Sequence, residues 1–208
     1  FIIDLYLRYQ MEATKEGKRM SSYFYEAVEE NPIIAAAKNE ADLETCCSLE
    51  DIRIVFILFG DICSIMEIVE KVKVAGKIAM VHIDLINGLS SKEIAVEFIK
   101  KYTKADGIIS TKAALIKKAR ESGMFTVLRY FLLDSMAYEN IRLQQHAVKP
   151  DFIEVLPGMM PKVIRNICKM SRIPIIVGGL ISDKESVMEA LSAGAIAVSA
   201  TSHEVWKM

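Results

Sequence analysis

The chain has 208 residues, 52% of them hydrophobic, and a formal net charge of −1, so it has enough apolar material for one large core. The near-neutral balance excludes nucleic-acid binding through overall charge, so any such binding needs a local basic patch. The four cysteines form no CxxC pair and no zinc-like cluster with the three histidines, which predicts reduced thiols in a cytoplasmic protein.

The N-terminal stretch FIIDLYLRYQ is apolar, but no basic region precedes it and no small-residue cleavage site follows it. It is therefore a poor signal peptide. The longest apolar run, residues 54–59, is far too short to cross a bilayer. We assign residues 1–20 to an extension whose status the sequence leaves open and which a helix would fit, and residues 21–208 to a single domain.

From residue 31 onwards one unit repeats: a short apolar run, a polar or glycine turn, and a segment with helical spacing. The apolar runs have the length of buried strands and occupy residues 33–37, 52–58, 77–83, 107–110, 126–131, 152–156, 175–177 and 196–199. The helical segments are residues 39–48, 61–75, 91–102, 111–122, 134–148, 161–170 and 184–193. Eight such units without a GxGxxG fingerprint favour a closed barrel over an open doubly wound sheet. The predicted fold is α/β, a compact single-domain TIM-like (β/α)8 barrel.

Helix starts also carry local signals. A capping box, in which a hydroxyl is followed three residues later by a glutamate, is predicted for Ser90 with Glu93, Ser182 with Glu185 and Thr201 with Glu204. Asp61 and Asp134 are each expected to cap the helix that follows them.

The functional face of such a barrel is the carboxyl end of its strands, where this sequence places several polar residues. The candidates for a ligand pocket are Lys38, His82, Asp84, Lys112, Arg129 and Glu154. A charge within an apolar strand is costly unless it is paired or used. One interpretation is a buried salt-bridge layer, for example Arg129 with Glu154 or with Asp84. The other interpretation is a polar ligand pocket. It is favoured because four charged or polar residues, His82, Asp84, Arg129 and Glu154, all interrupt apolar strands near their carboxyl ends.

Small residues follow the last two strands. They are Gly178 and Gly179 after the seventh strand, and Ser199, Thr201 and Ser202 at the eighth. Turns of this kind bare several N–H groups at a helix start, the arrangement expected for a phosphate. A glycine pair can also be a plain turn, and Thr201 a plain cap. We favour phosphate binding, with the polar groups opposite holding the hydroxyls of a small phosphorylated ligand.

An enzyme would need an acid–base or nucleophilic set in the same pocket. Lys112 could form a Schiff base, and Asp84 or Glu154 could move a proton, but nothing in the spacing favours this. No HExxH, GxSxG or carboxylate metal cluster is present in the sequence. We therefore predict no catalytic residue and no metal.

Three consecutive units carry an excess of basic residues. Their members are Lys117, Lys118 and Arg120, then Arg142, then Lys162, Arg165, Lys169 and Arg172. Any one group has a simple interpretation as the solvated outer face of a helix. Together they form a candidate track for a phosphate backbone. No aromatic RNP-like motif accompanies them, so stacking on single-stranded bases is not indicated.

Eight segments of the chain resemble the glycerol uptake operon antiterminator family (GlpP). They are NPIIAA (31–36), FILFGDI (56–62), VHIDLINGLSSKE (81–93), ADGIISTKAALIKKA (105–119), RYFLLDS (129–135), PDFIEVLPGMMPK (150–162), PIIVGGLISDKE (174–185) and AGAIAVSATSHEVW (193–206). The resemblance covers about residues 21–208. It implies a cytoplasmic regulator that responds to glycerol 3-phosphate and acts on the leader mRNA of glycerol genes, allowing transcription through a terminator.

The resemblance also implies that glycerol 3-phosphate is an effector and that no cofactor is needed. The expected partners are leader mRNA and this metabolite, without a membrane. A homo-oligomer stays open, because Trp206 and the short last helix could pack on a partner subunit or on the barrel. Two other functions also stay open: an enzyme acting on a small sugar or polyol phosphate, as many such barrels do, and a ligand-gated partner of another protein.

Overall fold

The computed structural model describes residues 15–208, including the side chains of residues 23–143 and 147–208. Its strands form a closed parallel barrel in chain order. They are β1 (Ile33–Ala37), β2 (Ile54–Ile57), β3 (Ile78–His82), β4 (Gly107–Ser110), β5 (Phe125–Phe131), β6 (Phe152–Leu156), β7 (Ile175–Gly178) and β8 (Ala197–Ala200). The pairing of β1 with β8 closes the ring. This confirms the predicted (β/α)8 barrel.

Helices precede, connect and follow these strands. They are α1 (Lys15–Glu30), α2 (Glu40–Ser48), α3 (Ile65–Val74), α4 (Ile94–Tyr102), α5 (Ala113–Glu121), α6 (Ser135–Val148), α7 (Pro161–Met170), α8 (Lys184–Ser192) and α9 (His203–Trp206), with a short 3-10 helix at Ile83–Leu85. Their apolar faces pack on the outside of the barrel and form the larger of two cores. The amphipathic spacing read from the sequence is therefore the spacing that covers the sheet.

The second core fills the inside of the barrel. Side chains alternate along a strand, so every second residue points inward. The inward residues of the lower layers are apolar, as Ile78 and Met80 of β3 and Phe152 of β6 illustrate. The residue that ends each inward row lies at the carboxyl edge, where the site is built.

Helix α1 closes the opposite end of the barrel. Phe24, fully buried, stacks on Phe152 with ring centroids 4.3 Å apart and lies 5.4 Å from the Phe125 ring. Helix α1 runs across the proposed boundary between residues 20 and 21. Residues 1–14 of the proposed extension lie outside the described residues.

The predicted capping boxes are wrong. Asp183, not Ser182, caps α8, since its carboxylate accepts from the Ser186 N–H at 2.8 Å. The N-cap residues of α4 and α9 are Glu93 and Ser202, and neither makes a side-chain capping hydrogen bond. A single carboxylate at the cap position supplies the acceptor by itself, so the reciprocal glutamate is not needed.

Of the two predicted aspartate caps, Asp134 is confirmed, whereas Asp61 stabilises a turn before its helix and Ser64 is the N-cap residue. Asp134 caps α6 by accepting from the Ala137 N–H at 2.8 Å. Asp61 accepts from the N–H groups of Cys63 and Ser64, at 2.8 and 2.9 Å, in the turn that leads into α3. Helix α3 itself begins four residues later than Asp61, at Ile65, because this turn comes first.

Candidate functional site

A layer of polar side chains ends the inward rows of the barrel at its carboxyl edge. We call it the polar layer; it consists of Lys38, His82, Arg129, Glu154 and Ser199. Lys38 is exposed, whereas the other four are at most 7% exposed. The apolar interior therefore gives way to buried polar groups at the face that barrels of this type use for ligands.

Glu154 is the centre of the polar layer. Its carboxylate is fully buried, and Oε2 accepts from Arg129 Nε at 2.6 Å. The other oxygen, Oε1, accepts from the Ser199 hydroxyl at 2.6 Å. Arg129 and Glu154 are also direct register partners in β5 and β6. The salt bridge proposed from the sequence is thus present, and Ser199 extends it to β8.

Gly178 faces this hydrogen-bonded group. A Cβ built on Gly178 would lie 2.2 Å from Ser199 Oγ and 2.9 Å from Glu154 Oε1. No real side chain tolerates such distances, so the glycine makes room for the bond between Ser199 and Glu154. In this arrangement the Ser199 hydroxyl donates its hydrogen to Glu154.

We expect Gly178→Ala to lower the free energy of unfolding by about 1–3 kcal/mol, because the added methyl must displace the Ser199 hydroxyl. Ser199→Ala should cost a similar amount by leaving Glu154 without one donor. Urea denaturation of both variants and of Gly178→Ala/Ser199→Ala tests the contact. The double variant should lose less than the sum of the single losses, since alanine at position 199 removes the clash. Strict additivity would contradict this account.

His82 lies in the polar layer with an unsatisfied nitrogen. Its side chain is 3% exposed, and Nδ1 has no hydrogen-bond partner among the described residues. The nearest carboxylate oxygen, Asp84 Oδ2, is 4.0 Å away. Burial, helped by the Arg129 guanidinium and opposed by Asp84, lowers the pKa of His82 from its ordinary 6.5 to about 4. The imidazole is therefore neutral at physiological pH.

Asp84 joins the ends of β3 and β4. Its Oδ2 accepts from the Thr111 N–H at 2.7 Å, and both oxygens lie 3.0 Å from the Ser110 hydroxyl. Lys112 Nζ is 3.4 Å from Asp84 Oδ1 and donates to Ser91 Oγ at 2.5 Å. Burial opposes ionisation, yet the hydrogen bonds from Thr111 and Ser110 and the positive charge of Lys112 lower the pKa of Asp84 below its ordinary value. Asp84 is therefore an ionised carboxylate whose position is fixed by hydrogen bonds.

The turns after β7 and β8 present unpartnered backbone donors. In the part of the chain that the structure describes, the N–H groups of Gly179, Leu180, Thr201 and Ser202 donate to no protein acceptor. Gly179 and Leu180 both have a left-handed backbone, with φ of 74° and 62°. A non-glycine residue in that region is uncommon and tends to occur at functional sites. Outward-pointing amides in such turns form anion-binding concavities.

A contact that the sequence did not predict anchors the turn after β8. His203 Nε2 lies 2.8 Å from Asp42 Oδ1, and Asp42 Oδ2 accepts from the Lys38 N–H at 3.0 Å. His203 stacks on Trp206, whose Nε1–H donates to the Ala200 carbonyl at 2.7 Å. Trp206 is thus packed on the barrel of its own chain. The only sequence signal for Asp42 was a charge within the brief helix after β1.

The predicted basic track lies on the outer helices, and several of its members have local partners. Lys118 pairs with Glu97 at 2.8 Å, Arg120 donates to the Lys149 carbonyl, and Arg142 pairs with Glu139. Lys117 is exposed on α5, and Arg172 follows α7 with an exposed side chain.

Three other members form an exposed row on α7. We call Lys162, Arg165 and Lys169 the basic stripe; they lie opposite the buried Ile164 and Ile167. Two of them line a groove of about 430 Å³ against α8, together with Glu185 and Glu189. Among the described residues, no ion pair neutralises the stripe.

Residues 15–208 contain neither a membrane-spanning helix nor, among the described side chains, a metal-binding cluster. No helix in residues 15–208 is both long and apolar enough to span a membrane. No group of three or more His, Cys, Asp or Glu side chains there is arranged to hold a metal ion.

Comparison with known proteins adds an independent line of evidence. A family model described as "Glycerol-3-phosphate responsive antiterminator" matches residues 33–206. The uncharacterized protein YgcP of Escherichia coli (strain K12) is 45% identical over 179 residues, which are 86% of this chain and 93% of that protein. The family match includes the whole barrel and every site residue discussed above.

Two solved structures share both fold and sequence with this chain. The glycerol uptake operon antiterminator regulatory protein of Listeria monocytogenes str. 4b F2365 is 34% identical, with a TM-score of 0.82 over 85% of this chain and 95% of that one. A glycerol uptake operon antiterminator-related protein of Thermotoga maritima MSB8 is 36% identical, with a TM-score of 0.75 over 85% and 98%.

Proposed function

Since the chain belongs to the glycerol-3-phosphate responsive antiterminator family, we propose that it binds glycerol 3-phosphate at the carboxyl end of its barrel and thereby controls its binding to leader mRNA in the cytoplasm. The observation that supports ligand binding is that a buried polar layer lies beside unpartnered backbone amides at the turns after β7 and β8.

The phosphate group would lie against the turns after β7 and β8. The N–H groups of Gly179, Thr201 and Ser202 are free to donate, and the hydroxyls of Thr201 and Ser202 lie beside them. Next to this site, Ser199 donates a hydrogen bond to Glu154, and Gly178 leaves room for that bond. Lys38, whose backbone N–H donates to Asp42, adds a positive charge at the neighbouring strand end. The glycerol end would then point towards His82, Asp84 and Lys112.

The same groups are poorly suited to catalysis, which supports a sensor over an enzyme. A general base works best with a pKa near the working pH. The pKa of His82 is about 4, and that of Asp84 is below its ordinary value. Glu154 accepts from Arg129 and Ser199, so neither of its oxygens is free of a protein donor. We propose that the ligand is detected and released unchanged.

The basic stripe is the surface we propose for RNA. Its three charges are exposed and free of ion pairs in the described part of the chain, in contrast to Lys118 and Arg142. Lysines and arginines spaced along one helix face can follow a phosphate backbone, and the resulting affinity falls steeply with salt. Ligand binding at the turns after β7 and β8 would shift an existing equilibrium towards the RNA-competent state.

The test is the affinity for leader RNA of a glycerol gene, measured by fluorescence anisotropy with and without glycerol 3-phosphate. We expect the ligand to raise the affinity by about tenfold, a typical coupling between two sites. Charge reversal at Lys162, Arg165 and Lys169 should lower the affinity by about tenfold or more and reduce its salt dependence.

Two control variants accompany this measurement. Reversal of Lys71, Lys100 and Lys104 changes the net charge equally but leaves the basic stripe intact, and should have little effect. Thr201→Ala/Ser202→Ala should weaken the response to ligand while leaving the RNA affinity without ligand unchanged. An RNA affinity that ignores both glycerol 3-phosphate and the stripe reversal would refute the proposal, and turnover of the ligand would favour the enzyme instead.

A further inference from the structure

Among the described residues, Nδ1 of His82 is the one buried side-chain nitrogen that lacks a hydrogen-bond partner. Buried polar groups are nearly always hydrogen-bonded, so an orphan at a candidate site calls for a ligand atom. His82 follows Ile78 and Met80 on the inward face of β3, and therefore points into the barrel mouth.

The neighbour of this nitrogen restricts what can bind to it. Nδ1 and Asp84 Oδ2 are 4.0 Å apart, which is too far for a direct hydrogen bond. This separation is compatible with one oxygen atom that makes a hydrogen bond of about 2.8 Å to each of them. The ionised carboxylate only accepts, and it favours the tautomer that carries hydrogen on the facing Nδ1. The bridging oxygen must then accept from His82 and donate to Asp84.

We infer that His82 and Asp84 form a subsite specific for a hydroxyl group of the ligand, and that this subsite rejects a carbonyl at the same position. The inference rests on the proposed function, because it concerns the glycerol end of the same ligand. A hydroxyl has one donor and two acceptor positions, so it satisfies both side chains. A carbonyl oxygen would accept from His82 but would face the Asp84 carboxylate with no hydrogen between them.

The surroundings hold Asp84 in the state that this selection needs. Ser110 and Thr111 fix the carboxylate by three donors, all of which reach Oδ2, and Lys112 Nζ lies 3.4 Å from Oδ1. The Thr111 hydroxyl, which is on an exposed residue, can turn away as the ligand hydroxyl arrives. The subsite therefore presents a fixed acceptor next to a fixed donor.

The test compares glycerol 3-phosphate with dihydroxyacetone phosphate, which has a carbonyl at carbon 2, by isothermal titration calorimetry on the full chain. We expect the polyol phosphate to bind about 10- to 100-fold more tightly, the penalty for a buried polar pair left unmatched. In Asp84→Asn the amide can donate to a carbonyl, so the ratio should fall towards one. ¹⁵N NMR of His82 in the wild-type protein should show Nδ1 protonated and shifted by the polyol phosphate alone.

The outcomes distinguish a failure of the hydroxyl subsite from a failure of the proposed function. Equal affinities of the wild-type protein for both compounds, or an Nδ1 resonance unmoved by glycerol 3-phosphate, would overturn the hydroxyl subsite and leave the proposed function standing. Absence of binding by either compound would refute the proposed function itself. Because the wild-type comparison needs no variant, a failure of Asp84→Asn to fold does not remove the test.

Discussion

Replacement of Arg129 by methionine is expected to lower the free energy of unfolding by about 3–5 kcal/mol at neutral pH. Arg129 and Glu154 are 7% and 0% exposed and meet at 2.6 Å. Without the guanidinium, the Glu154 carboxylate is left charged in the barrel interior with only the Ser199 hydroxyl for support. The cost is the desolvation of an uncompensated charge, which exceeds the value of any single hydrogen bond.

Urea denaturation of two further variants would establish that the unpaired charge is the cause. Arg129→Met/Glu154→Gln removes both charges and should recover most of the lost stability. Lys104→Met breaks an ion pair of similar length, 2.8 Å to Glu70, whose side chains are 68% and 47% exposed. This control should lose less than about 1 kcal/mol. Equal losses in Arg129→Met and Lys104→Met would show that burial of the pair is not decisive.

Acidification from pH 7 to pH 4 is expected to destabilise the wild-type protein by about 3 kcal/mol more than His82→Gln. The pKa of His82 is about 4 in the folded state and 6.5 ordinarily. Between these values the unfolded chain binds a proton at His82 that the folded protein does not. Stability therefore rises with pH across this window, and the histidine's contribution is lost as the pH falls below 6.5.

The groups facing His82 are Arg129, Asp84 and Lys112. None of them is expected to titrate between pH 7 and pH 4, so the difference in stability over this range reports on His82. Asp84 has a pKa below its ordinary 3.8, so its own contribution is lost only below the window. Denaturant midpoints at intervals from pH 7 to pH 4 give the difference between wild type and His82→Gln. Parallel pH profiles for the two proteins would mean that His82 can take up a proton in the fold.

The apolar pattern was sufficient to predict all eight strands and the barrel. Each strand is a short apolar run and each helix has an amphipathic repeat, and both signals lie within a window of a few residues. The boundaries were less accurate: the second predicted strand, residues 52–58, is observed as Ile54–Ile57. Polar residues at strand ends likewise predicted that His82, Asp84, Arg129 and Glu154 lie at one edge of the barrel, because parallel strands end at one edge.

The roles within that pocket were beyond the sequence. The pattern suggested that Gly178 and Ser199 would contact a phosphate, and it gave no sign that Ser199 donates to Glu154 or that Gly178 makes room for that bond. The unsatisfied Nδ1 of His82 had no signature at all, because an orphaned atom is defined by what surrounds it.

The sequence by itself therefore determined the kind of fold, the edge at which the site lies, and the family. Only the tertiary structure decided which side chains contact each other. Ser199 and Glu154 are 45 residues apart, and His203 and Asp42 are 161 apart. Closure of β8 onto β1 and the register of each strand pair bring such residues together. Local patterns follow from each segment's own need to bury apolar surface, whereas side-chain partners depend on the closure of the whole ring.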